Sequence, residues 1–116
     1  MAVFVSNIVI EQGFDFNTTF ELEDTLTTDP LVLTGYTVEA QIRKTYSSTS
    51  AVNFSCTIVN PPTDGKVQIT LTDTETANLK EGRYVYDVKL VSPPNPDSAI
   101  TKAIEGSVLV RGGVTR

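Results

Sequence analysis

The sequence predicts an all-β fold: an antiparallel immunoglobulin-like β-sandwich of about seven strands with one short helical turn near residues 73–79. Three observations predict it. Apolar and polar residues alternate with a period of two along most of the chain, and helical periodicity is nearly absent. All six prolines fall between the alternating runs, where a missing N–H does no harm. The pattern Leu79-x-x-Gly82-x-Tyr84 has the form of a tyrosine corner, in which a tyrosine hydrogen-bonds back to the backbone upstream of its strand.

The first strand is expected at Phe4–Glu11, with Ile8 and Ile10 in register. Gln12-Gly13 turns the chain into a second strand, Asp15–Asp24, with Phe16, Thr18, Phe20 and Leu22 on one face. The third strand, Tyr36–Lys44, sets Tyr36, Val38, Ala40 and Ile42 inward and Thr37, Glu39, Gln41 and Arg43 outward. Gly35 ahead of it is suited to a positive φ, as is Gly82 further on. The fourth strand is Ala51–Val59 and the fifth is Lys66–Thr72, with Val67, Ile69 and Leu71 inward. Asp73–Leu79 is the helical segment, with Asp73 expected as its cap; it is too short to stand without packing. The sixth strand, Arg83–Val91, points Tyr84, Tyr86, Val88 and Leu90 inward. The seventh, Ile100–Arg111, does the same with Ile104, Val108 and Val110.

If successive strands alternate in direction, the loops holding Pro30, Pro61, Pro62, Pro93, Pro94 and Pro96 emerge at one end. The other end then carries the first turn, the serine-rich loop Tyr46–Ser50, the helical corner and the C-terminal residues. The chain of 116 residues reads as one domain, 1–111, followed by a short tail, 112–116.

Composition narrows the function classes. Nine basic and fourteen acidic residues give a net charge of −5 without any basic run, which argues against a nucleic-acid surface. No apolar run approaches a membrane span. The N-terminus lacks a basic region and Glu11 interrupts its apolar stretch, so a strand is expected there and not a cleaved signal. A single cysteine, Cys56, precludes an intrachain disulfide, and its alternating position suits a small buried hydrophobe.

Histidine is absent, which removes the commonest general base, the Ser-His and Cys-His pairs and most zinc or copper sites. Gly112-Gly113 follows a strand and precedes no helix, so it is no phosphate loop. The lack of tryptophan weakens a sugar-stacking platform. Asp24, Asp29, Asp64 and Asp97 all map to the proline end, where a carboxylate pair or a calcium site is conceivable; turn residues are the plainer reading. Asp87, between Arg83 and Lys89 on an outward face, suits a cross-strand ion pair toward Arg43's strand. Tyr84 and Tyr86 share a face with Val88 and Leu90 and are expected in the core.

Several segments together resemble a known family. They are Gln12-Gly13-Phe14-Asp15-Phe16, Leu33-Thr34-Gly35-Tyr36-Thr37 and Ala40-Gln41-Ile42-Arg43-Lys44. Next come Gly65-Lys66-Val67, Leu71-Thr72 with Thr76-Ala77-x-Leu79, and Gly82-Arg83-Tyr84-Val85-Tyr86-Asp87-Val88. Glu105-Gly106 and the ending Gly113-Val114-Thr115-Arg116 complete the series. In order and spacing this is similar to small virion structural proteins of tailed bacteriophages, common among phages of cyanobacteria. The resemblance implies an immunoglobulin-like particle component without catalysis or cofactors. Such a protein would be made in the host cytoplasm and built into the virion. Its partners would be other virion proteins and copies of itself, in the tail, neck or baseplate or as a capsid decoration.

On this reading Leu79, Gly82 and Tyr84 form a structural corner. Gly112, Gly113, Val114, Thr115 and Arg116 are candidate interaction residues, alongside the sheet edges. A host-glycan-binding adhesion module, with its site at the proline-rich end, is the alternative.

Overall fold

The computed structural model describes residues 4–23, 29–92 and 100–114. Among the described residues nine strands form two sheets: β1 (Phe4–Val5), β2 (Ile8–Glu11), β3 (Phe16–Glu21), β4 (Thr37–Arg43), β5 (Val52–Asn53), β6 (Ser55–Ile58), β7 (Lys66–Leu71), β8 (Gly82–Val91) and β9 (Ile100–Arg111). One sheet has the order β1-β9-β8-β4-β5, with β2 also on β9; the other has the order β3-β7-β6. These arrangements make a two-layer β-sandwich. The core lies between the layers and is built from alternate residues: Ile8 and Ile10, Ala40 and Ile42, Val67, Ile69 and Leu71, Tyr86, Val88 and Leu90, Ile104, Val108 and Val110. The period-two reading of the sequence thus gives the buried face strand by strand.

Two expected strands are each divided. The first is broken at Ser6–Asn7, and both halves run parallel to β9, with Phe4 opposite Ile104 and Ile8 opposite Val108. The sandwich is therefore antiparallel everywhere except at this edge. The fourth expected strand changes sheets at Phe54. Its first half pairs with β4, Phe54 N–H donates to Ala40 O at 3.0 Å, and its second half pairs with β7. Val52, Phe54, Cys56 and Ile58 alternate without interruption, so the crossing leaves no trace in the pattern. Within β9 a bulge makes Ala103 an extra residue opposite the Val88–Lys89 step, and both Ala103 and Ile104 are buried.

Helix α1 (Asp73–Ala77) is the short helical element that the sequence predicts, but its N-cap is Thr72 and not Asp73. Thr72 Oγ1 accepts from Glu75 N–H and Glu75 Oε1 accepts from Thr72 N–H at 2.9 Å, a capping box. Asp73 is drawn instead into a longer-range contact, its N–H donating to Asp15 Oδ1 at 2.8 Å. At the other end of the sandwich, Leu33 N–H reaches Pro62 O at 3.0 Å and Leu22 N–H reaches Gly65 O at 2.7 Å, joining the loops after β3 and before β7. Pro30, Pro61 and Pro62 lie there, outside every strand; Pro93, Pro94 and Pro96 are outside the described residues.

Candidate interaction site

The corner residues act on the fold. Leu79 is buried just beyond α1, and Gly82 opens β8 with φ 140°, a conformation that side chains rarely adopt. Tyr84 then returns its hydroxyl to Lys80 O at 2.8 Å. The half-buried Tyr84 ring carries Lys44 Nζ 4.7 Å from its centroid, an exposed cation–π contact.

The first turn is fastened over this corner. Gln12 Nε2 donates to Leu79 O at 2.5 Å. Thr76, the one buried polar side chain among the described residues, accepts from Gly13 N–H at 3.1 Å and donates to Phe14 O at 2.8 Å. The candidate C-terminal residues begin on the same surface. Gly112 stands beside the Glu81 carboxylate, and Gly113 is buried, where an added Cβ would come within 2.6 Å of Gln12 O and 2.9 Å of the Phe14 ring. Val114 is 97% exposed. Thr115 and Arg116 are outside the described residues. Gly112 and Gly113 thus pack on their own domain, and the outward-facing part starts at Val114.

The N-terminal segment is held on β9 by a distinct set of contacts. At the Ser6–Asn7 break, the Ser6 carbonyl enters the space that a side chain at Gly106 would fill. Tyr86, opposite Gly106 and buried, donates its hydroxyl to that carbonyl at 2.5 Å. Ser6 N–H donates to Glu105 O at 2.9 Å, and Asn7 Oδ1 accepts from Ser107 N–H at 3.0 Å. Glu11 and Arg111 close the pair with an ion pair. Burial lifts the Tyr86 phenol above its ordinary 10.0, and the Ser6 side chain opposes part of that rise. Because this segment lies on β9, the far side of β3 has no paired strand among the described residues.

Titratable groups on the outer face of the larger sheet neutralise one another. Lys89 meets Glu39 at 2.9 Å, and Lys102 meets Glu105 at 3.3 Å and Asp87 at 3.8 Å. Asp87 therefore pairs toward β9 and not toward Arg43, which donates to Ser48 O and Gln41 Oε1. The hydrogen bond to Glu105, aided by the charges of Glu105 and Asp87, holds the Lys102 ammonium above its ordinary 10.5.

An open cleft of about 620 Å³ runs from this face around the edge of β4, where Tyr46, Gln41, Asn53, Asp87 and Lys89 line it. Cys56 lies at its inner margin, half-buried; burial foremost, with the charge of Glu39, pushes the thiol above its ordinary 9.0. Asp29 and Asp64 belong to no metal-competent group of three or more His, Cys, Asp or Glu among the described residues. Asp24 and Asp97 are outside them. No helix of the described residues is long and apolar enough to cross a membrane.

Comparison with known proteins adds no family. No family model matches the chain, and no curated protein matches it. Among solved structures, a family 123 glycoside hydrolase from Clostridium perfringens, described for glycolipid glycan hydrolysis, aligns over 100% of this chain with 13% identity and a TM-score of 0.44. The chain spans 24% of that enzyme's length. At that level the likeness bears on neither family nor activity.

Sequence reasoning passed over the Ser6–Gly106–Tyr86 contact and the outermost place of β3 among the described strands. For the first, a signal existed: a glycine in the middle of an otherwise apolar inward row, Ile104, Gly106, Val108, marks a close approach of backbone. For the second there was none, since alternation specifies a strand's faces and not its neighbours.

Proposed function

We propose that this chain is a non-enzymatic structural component of a tailed-bacteriophage virion, joined to its neighbours by protein–protein contacts. The observation that carries the reading is the edge of β3, unpaired among the described residues, a surface whose outward N–H and C=O groups suit sheet extension. The chain-long resemblance set out above supplies the class of particle. Position within it, whether tail, neck, baseplate or capsid decoration, would follow from locating the chain in a particle reconstruction and reading its copy number. Mass spectrometry of purified particles tests the reading directly: peptides of the chain in stoichiometric amount are expected, and their absence from intact particles overturns it. Since Gly113 is packed inside the domain, the role of the C-terminus is tested by deleting 114–116 rather than 112–116. Normal incorporation of that variant would remove these residues from the contact.

A second reading, adhesion to a host glycan, draws on the open cleft. Tyr46, 77% exposed, stands there beside amide and carboxylate side chains that can hydrogen-bond sugar hydroxyls. Binding on a glycan array that is lost in Tyr46→Ala is the expected result; a flat array removes this reading.

A further inference from the structure

We propose that β3 is a self-association edge: two copies pair β3 with β3 in antiparallel fashion, joining their three-stranded sheets into one. The inference deepens the assembly reading by naming the edge and the partner, and it rests on that reading only for its biological setting. Leu22 directs its N–H to Gly65 O, on the β7 side. Alternation turns Phe20, Thr18 and Phe16 the same way, and so aims the N–H and C=O groups of Asn17, Thr19 and Glu21 at the open side.

The inward residues Phe16, Thr18 and Phe20 form a row that reads alike in both directions. A twofold axis at Thr18 therefore sets Phe16 opposite Phe20 of the partner subunit and Asn17 opposite Thr19 of the partner subunit. In that register the outward groups of Asn17 and Thr19 exchange ladder hydrogen bonds, and the aromatic pairs fall at the closer, non-hydrogen-bonded positions. Both rings are only half-buried in the single chain, and Phe16 lies 6.1 Å from the Phe54 ring, so pairing would cover surface that the core leaves open.

The palindromic row is the reason for choosing a second copy as occupant, because a twofold interface must present one patch to itself. The other outer strands suit pairing less. The β1–β2 edge is broken at Ser6–Asn7, β5 has 2 residues and β6 has 4, whereas β3 has 6 and contains no proline or basic residue.

The test is sedimentation of the purified chain over a wide concentration range, with Thr19→Pro and Thr19→Lys. Thr19 N–H faces away from β7, so proline there removes a donor that only the partner strand would use. A concentration-dependent dimer in the unaltered chain is expected, with the dissociation constant raised at least tenfold in both variants and their circular dichroism unchanged. A monomer at every concentration, or a dimer of equal strength in Thr19→Pro, overturns the proposal. So does a dimer that forms only after residues 1–3 are removed, which would assign the edge to the chain's own N-terminal segment. None of these results bears on whether the chain is found in purified virions, so the two readings fail separately.

Discussion

The β1–β2 edge and the β3 edge are both outermost strands of this sandwich, yet they are finished differently. The first is pinned to β9 by the Ser6 and Asn7 contacts, interrupted at Ser6–Asn7 and closed by Glu11 and Arg111. Its inward residues Ile8 and Ile10 are buried, while Val5 and Val9 face out. The second is unbroken and uncharged except at Glu21, which stands 3.9 Å from Lys66, and its two phenylalanines are only half-buried. The difference has one origin: the N-terminal segment can cover only one sheet at a time, and the contacts on β9 decide which. With the N-terminal segment on β9, β3 stays an outermost strand among the described residues.

The largest expected effect comes from the inward residues of the two edges. Ile10→Ala should lower unfolding stability by about 2–5 kcal/mol, because it opens a cavity in a closed layer. Phe20→Ala should cost less, about 1–2 kcal/mol in the monomer, since part of that ring is already in water. Urea unfolding of both variants at low concentration checks the ranking; equal losses would break the distinction between closed and open edge.

Gly106→Val comes next. A side chain there must displace the Ser6 backbone, and the expected loss is about 1–3 kcal/mol, of the kind seen on overpacking. If the N-terminal segment is expelled, the variant should also show faster amide exchange at Ile8 and Ile10 by NMR. Unchanged exchange would mean that the approach over Gly106 is not what holds the segment.

Tyr86→Phe leaves the Ser6 carbonyl without its donor, at an expected cost of about 1–2 kcal/mol. The pH dependence follows from the raised phenol. A group with a higher pKa in the folded state contributes fully below its unfolded value, here 10.0, and loses that contribution as pH climbs through the folded value. Stability should therefore fall above pH 10, and Tyr86→Phe should remove that part of the fall. The same alkaline slope in the variant would detach it from Tyr86.

The smallest effect is Glu11→Gln. The ion pair with Arg111 is largely solvent-exposed, so about 0–1 kcal/mol is expected, shrinking further at high salt. A larger change would make the end of β2 a principal clasp instead of a finishing contact.

Much of the architecture was legible in the residues. The alternation in Tyr36–Lys44 and Lys66–Thr72 marked the buried faces, and Leu79-x-x-Gly82-x-Tyr84 marked the corner whose hydroxyl meets Lys80 O. The helical segment was legible too, though Asp73 was expected at the cap that Thr72 occupies. The reciprocal Thr72–Glu75 capping box starts the helix one residue earlier than expected. The candidate interaction residues were legible only as an exposed-looking tail, because nothing local shows Gly113 seated under Phe14.

By itself, then, the sequence determined the strands, their inward faces and the loops between them, because a period of two and the φ demands of proline and glycine are local properties. Only the tertiary structure decided the neighbours. It sent the N-terminal segment to β9, moved the chain between sheets at Phe54, turned Asp87 toward Lys102 and left β3 outermost among the described strands. Strand pairing joins residues far apart in the chain, and the same alternating face packs equally well in the middle of a sheet or at its edge.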